Sequence, residues 1–163
     1  MKNSFLTSLS FFFLMSLLIS CQSNSEDHSA DVIDIEEIKK EIQAKENEFA
    51  EIYNGGERKK IGYYADDAIT YLQNNPPIIG KRAIIDYLMA NIDSLSIGNQ
   101  ISFVTDEVFP SSDGNQVVEI GYYKVIDSDE NILNTGYYMT LFEKRDGSYV
   151  SLREMSASDM ILD

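Results

Sequence analysis

The 163-residue chain has no tryptophan, one cysteine, one histidine and three prolines. A lone cysteine, Cys21, excludes an intrachain disulfide and any zinc site built on several thiolates. His28 stands in a polar stretch where nothing nearby could complete a rigid metal site. Basic residues are also scarce: 13 Lys and Arg face 27 Asp and Glu, for a net charge of −14. Such a surface repels phosphate backbones and anionic head groups, so nucleic acid is not an expected partner. No glycine-rich phosphate loop, nucleophile elbow or metal-ligand cluster occurs, and no cofactor is expected.

What is present starts with an address. Lys2 gives a short positive start, and Phe5 to Ile19 form an apolar run broken only by Thr and Ser. The run is about 15 residues, short of the roughly 20 that a spanning helix needs. Leu18-Ile19-Ser20-Cys21 closes it with a small residue before the cysteine. A basic start, an apolar run and a small residue at the cut have the shape of a secretory signal. The stretch resembles a bacterial lipoprotein signal with its lipobox. That resemblance implies removal of residues 1–20 and acylation of Cys21 as the new N-terminus. An ordinary secretory signal and an uncleaved anchor are the alternatives. Two or more acyl chains, each adding about 0.8 kcal/mol per buried CH₂, would hold the protein to a bilayer. Gln22 after the cysteine resembles lipoproteins released to an outer membrane. The expected location is therefore the bacterial cell envelope, at the outer rather than the inner membrane. Loss of Lys2 leaves 12 basic residues against 27 acidic ones, a charge near −15.

Residues 21–31 read as the lipidated cysteine and a flexible polar tether, and residues 32–163 as one domain. Ile35, Ile38, Ile42, Phe49, Ile52 and Tyr53 lie at spacings that fit one face of a long helix. Asn54-Gly55-Gly56 ends it. A second helix is expected over Glu57–Tyr64, a strand over Ala68–Leu72, a loop at Asn74–Pro77 and a third helix over Lys81–Ile92. Four strands then follow, Ile101–Phe109, Gln116–Ile126, Ile132–Lys144 and Tyr149–Ser158. Asp-Gly occurs in two of the turns between them, a strong hairpin signal. Three helices followed by an antiparallel meander predict an α+β domain with the sheet curled over the helices.

Gly-Tyr-Tyr occurs at Gly62, Gly121 and Gly136. The second and third copies flank one turn, which predicts that Tyr122, Tyr123, Tyr137 and Tyr138 meet across a hairpin. Neighbouring strand residues point to opposite faces, so one tyrosine of each pair faces inward. Which of Tyr122 and Tyr123 does so is open. Cross-strand aromatic pairing alone could account for the four; a phenol-lined pocket is the functional alternative.

The segments Tyr63-Tyr64-Ala65-Asp66-Asp67-Ala68, Pro76-Pro77-Ile78-Ile79-Gly80-Lys81-Arg82-Ala83-Ile84 and Asp146-Gly147-Ser148-Tyr149-Val150-Ser151-Leu152 follow a familiar order. They resemble the SnoaL-like and ketosteroid isomerase-like group of the nuclear transport factor 2-like superfamily. The resemblance spans about residues 32 to 159. It implies a cone-shaped α+β roll of three N-terminal helices on a curved, mainly antiparallel sheet, with a cavity at the open end. It also implies dimerisation through the outer sheet face. The steroid isomerase of this group needs a carboxylate base, a helix tyrosine and a carboxylic acid. Its three positions fall here on Leu72, Phe49 and Thr140, none of which can do that work. A shared fold does not carry a shared reaction.

Three readings follow. The leading one is a lipid-anchored, non-catalytic domain that binds a small apolar ligand or serves as an interaction module, with Phe49, Tyr53, Leu72, Leu88, Tyr138, Thr140 and Glu154 in the pocket. The second is an isomerase, cyclase or lyase with Glu154 as general base and tyrosine donors, since a carboxylate in an apolar cavity has a raised pKa. The simpler expectation for Glu154 is a solvated rim position, and for Asp66 and Asp67 a turn-capping role. The third reading is a structural homodimer, with Tyr137, Met139 and Leu141 on an apolar outer face.

Overall fold

A computed structural model describes residues 33–90 and 98–160. The signal, Cys21 and the tether lie outside the described residues. Helix α1 runs over Ile35–Asn54. Asp34 caps it by accepting from the Glu37 N–H at 3.0 Å, and Glu36 and Glu37 suit the positive end of the helix dipole. At the other end Gly56 takes φ 75°, and the Glu57 N–H reaches back to the Ile52 carbonyl at 3.1 Å.

The second expected helix is not there. Arg58–Lys60 makes a single 3₁₀ turn, and Tyr64 already opens strand β1, Tyr64–Tyr71. Gly62 is a poor helix former, and Tyr63, Tyr64 and Ala65 are buried in succession where β1 enters the core. A two-residue strand that the sequence did not announce, β2 at Ile78–Ile79, pairs with β1. Helix α2 runs over Lys81–Ala90; Asn91 and Ile92 fall outside the described residues. The meander follows as β3 (Gln100–Pro110), β4 (Gln116–Ile126), β5 (Ile132–Arg145) and β6 (Ser148–Ser158).

One six-stranded sheet results, in the order β2-β1-β6-β5-β4-β3, antiparallel except where β1 runs parallel to β6. Helix α1 covers the free edge at β3. The Gln43 amide accepts from the Thr105 N–H at 2.8 Å and donates to the Phe103 carbonyl at 3.2 Å. Asn54 does the same at Ile101, both bonds being 2.9 Å. Two side chains thus fill the place of a seventh strand and remove an aggregation-prone edge. Ile42, Ile84, Val117 and Phe142 are sealed between helices and sheet, each contributing about 2 kcal/mol by leaving water.

Asp66 and Asp67 do not cap a turn. They sit in a bulged stretch of β1, where the pairing with β6 slips between Tyr64 and Ile69. The Asp67 carboxylate takes a forked pair from the Arg145 guanidinium at 2.6 and 3.2 Å.

Candidate functional site

The two Gly-Tyr-Tyr copies that flank the β4–β5 turn are reciprocal. Gly121 pairs with Tyr138, and Tyr123 with Gly136. A Cβ on Gly121 would overlap the Tyr138 ring, and one on Gly136 would come within 2.7 Å of the Tyr123 ring. Each glycine therefore leaves room for the tyrosine of the opposite strand to lie across it. Tyr123 and Tyr138 face inward; Tyr122 and Tyr137 meet on the outer face with ring centres 5.5 Å apart.

The inward tyrosines help to enclose a cavity of about 160 Å³ between α1, α2 and the sheet. Of fourteen lining residues, seven are aromatic and four are aliphatic; Thr70, Glu154 and Ser156 supply the rest. Thr70 pairs with Glu154 across β1 and β6, and Ser156 pairs with Tyr138 across β6 and β5. The polar lining other than the phenols is thus confined to one wall. Phe49, Tyr53, Leu72, Leu88, Tyr138 and Glu154, expected from the sequence, all line this cavity. Thr140 does not: it is fully buried in the sheet, and its hydroxyl has no partner.

Glu154 is not the solvated rim residue that was the simpler expectation. Its Oε2 is sealed from solvent and has no hydrogen-bond partner. Burial pushes its carboxyl up to about 7, against a hydrogen bond from the Tyr64 phenol that favours the ionised form.

Two further carboxyls were passed over in the sequence. Glu46 of α1 is 2% exposed and Glu119 of β4 is 0% exposed. The Tyr63 hydroxyl donates to Glu46 Oε1 at 2.5 Å. Glu119 Oε1 accepts from the Thr105 hydroxyl at 2.6 Å and the Tyr138 hydroxyl at 3.0 Å. Glu119 Oε2 has no donor unless Glu46 carries a proton. Burial, then the neighbouring Glu119 charge, holds Glu46 well above the usual carboxylate range, and burial raises Glu119 as well, against the hydrogen bonds it accepts from Thr105 and Tyr138. Register carries Thr70, Glu154, Thr140 and Glu119 across four adjacent strands as one polar row on the concave face. The signal for Glu46 was readable: it lies four residues after Ile42 and three before Phe49, on the core side of α1.

With three carboxyls and several tyrosine hydroxyls, this wall can hold or move a proton. The phenols of Tyr63, Tyr64 and Tyr138 are pushed further from ionisation by burial, so they act as donors. Proton-moving groups are therefore present, but not where the steroid isomerase has them.

The architecture is that of the nuclear transport factor 2-like, cystatin-like fold. A nuclear transport factor 2-like protein of unknown function from Shewanella oneidensis MR-1 superposes with a TM-score of 0.61 at 17% identity, over 72% of this chain and 96% of that one. A ketosteroid isomerase-like protein from Erwinia carotovora atroseptica SCRI1043 gives 0.60 at 13% identity, over 77% and 98%. A cystatin-like fold protein of unknown function from Nostoc punctiforme PCC 73102 gives 0.65 at 14% identity, over 76% and 92%. No protein-family profile and no curated protein matches the chain. Identities this low carry the fold and not the reaction.

Proposed function

We propose that the domain takes a small, mainly apolar ligand into the cavity of the roll and that a lipid on Cys21 holds it at the bacterial cell envelope. The cavity carries this reading: eleven apolar or aromatic residues line it, and its polar groups other than the phenols stand on one wall. That is the usual make-up of a ligand site, an apolar body with a few groups to orient the guest. Its volume is close to that of a cavity that holds one benzene ring. The signal-like run before Cys21 supports the envelope address. Native mass spectrometry of the full chain, released from its membrane in mild detergent, should show a bound small molecule. Leu88→Trp, which fills the cavity, should lose it. An unliganded mass in both forms overturns the ligand reading.

A second reading is proton transfer on that ligand, with Glu154 as the base. The buried, unpartnered Glu154 oxygen favours it. In heavy water the enzyme would exchange a carbon-bound hydrogen of its ligand for deuterium, and Glu154→Gln would stop the exchange. Equal exchange in both proteins rejects Glu154 as the base. The outer sheet face, where Tyr137, Met139 and Met155 are exposed, is read as the contact with a second copy of the chain.

A further inference from the structure

We infer that the guest of the cavity is a small organic cation, an ammonium on an apolar or aromatic body, with its charge directed to Glu154. The inference rests on the ligand-cavity reading above. Glu154 is the only charged group among the described lining residues, and its Oε2 has no partner. Glu119, behind the same wall, makes the surroundings more negative still. An anionic guest would meet a carboxylate with no Lys, Arg or His lining the site.

The rings supply the second observation. Phe49, Tyr53, Tyr64, Phe103, Tyr123 and Tyr138 all border about 160 Å³. An occupant of so small a space cannot lie far from their faces. Aromatic faces attract a cation whose charge comes within about 6 Å of a ring centre, and rings grouped with a carboxylate suit ammonium ligands. One lining ring already holds a cation: the Arg58 guanidinium stacks 4.0 Å from the Tyr53 centre. Arg58 does not itself line the cavity; its Nη1 donates to the Leu88 carbonyl at 3.4 Å. A neutral guest would use the rings but leave the carboxylate without a counter-charge.

The test uses the full chain in detergent micelles at pH 8 and three probes with the same number of non-hydrogen atoms: 2-phenylethylamine, 2-phenylethanol and benzoate. Binding is read from the NMR signals of the Phe103 and Tyr138 rings, so that probe dissolved in the micelle does not count. The amine should bind at least about tenfold tighter than the alcohol, and the carboxylate should not bind. Glu154→Gln should remove most of the amine's advantage over the alcohol, leaving only the part the rings supply. Phe103→Leu should weaken the amine more than the alcohol, which keeps the idea testable if the first variant does not fold. An alcohol that binds as tightly as the amine overturns the cation and leaves the cavity reading standing. If no probe moves the ring signals, both fall.

Discussion

The two faces of the sheet invert the usual distribution of residues. On the concave face a row of carboxyls and hydroxyls, Thr70, Glu154, Thr140 and Glu119, runs through the interior. On the convex face Val104, Tyr137, Met139 and Met155 stand in solvent, between 42% and 56% exposed. Register makes the second set contiguous: Val104 pairs with Tyr122 and Tyr122 with Tyr137, while Met139 pairs with Met155. A polar group without a partner is expensive inside, and a large apolar group outside forgoes the gain from burial. On the proposed reading, Thr70 and Glu154 of the concave row meet a guest in the cavity, and the convex patch meets a second copy of the chain.

The sharpest way to break the comparison is to disturb the concave face at its tightest point. Gly121→Val would drive a branched side chain into the Tyr138 ring, which is also tied to Glu119. The expected loss is about 3 kcal/mol, the upper part of the range for overpacked cores. Denaturant unfolding should show it as a shifted midpoint, with the Tyr138 ring signal displaced. A change below about 0.5 kcal/mol would mean that the Gly121–Tyr138 approach is not as described.

Next in size is the response to pH. Glu154 is raised from its ordinary 4.5 to about 7, so its favourable contribution is complete below about 4.5 and is lost as pH rises to about 7. Glu46, also raised, acts in the same direction. The groups facing this cluster are Tyr63 and Tyr64 from the β1 side, Thr105 from β3 and Tyr138 from β5; each can donate a hydrogen bond and none is cationic. The chain should therefore be more stable at pH 5 than at pH 8. Glu154 alone accounts for about 2 kcal/mol of that, after discounting for the partial exposure of the residue. Reduced self-repulsion of a chain with net charge −14 has the same sign. Glu154→Gln separates the two, because only the Glu154 part of the slope should vanish. A wild-type chain that loses stability between pH 8 and pH 5 contradicts the buried-carboxyl account.

Much of this arrangement was legible in the sequence, and the parts that were not share a cause. The meander and the long first helix follow from periodicity and turn chemistry, which are local. The cone-shaped roll and its cavity were implied by the family resemblance, and Phe49, Tyr53 and Leu88 lie on helix faces turned toward that cavity. Tyr63 and Tyr64 were placed in a helix because three residues of 3₁₀ turn and a strand start look alike over so short a window. Asp66 and Asp67 were assigned to a turn because the bulge that holds them exists only through pairing with β6. Glu46 and Glu119 escaped for a related reason. A glutamate on an apolar stripe looks like a break in the pattern until its partner, 73 residues further along the sequence, is brought beside it by the fold.

The convex face yields a smaller stability effect with a large effect on assembly. Tyr137→Lys with Met139→Lys places two charges where apolar side chains are already solvated, so the monomer should change by about 0.5 kcal/mol or less at each site. If the face meets a second copy, light scattering of the full chain in detergent should pass from twice the protein mass to one. A wild-type chain that remains monomeric at high concentration removes the self-contact reading and leaves the patch to another partner.

The smallest effect belongs to the exposed ion pair at the β1 bulge, and it carries the opposite sign in pH. The Arg145 hydrogen bonds hold the Asp67 carboxyl below its ordinary 3.8. A depressed acid contributes above its unfolded value and loses that contribution as pH falls through its folded one. Both side chains are open to solvent, at 63% for Asp67 and 38% for Arg145, so salt screens the pair. Asp67→Asn should leave the melting temperature at pH 7 unchanged in 0.5 M salt and should soften the loss of stability below about pH 4. With core carboxyls favouring acid and surface carboxylates opposing it, stability should peak between the two regimes, at about pH 4 to 5. An Asp67→Asn chain that instead loses stability at pH 8 would place this aspartate among the buried groups and blur the division between the faces.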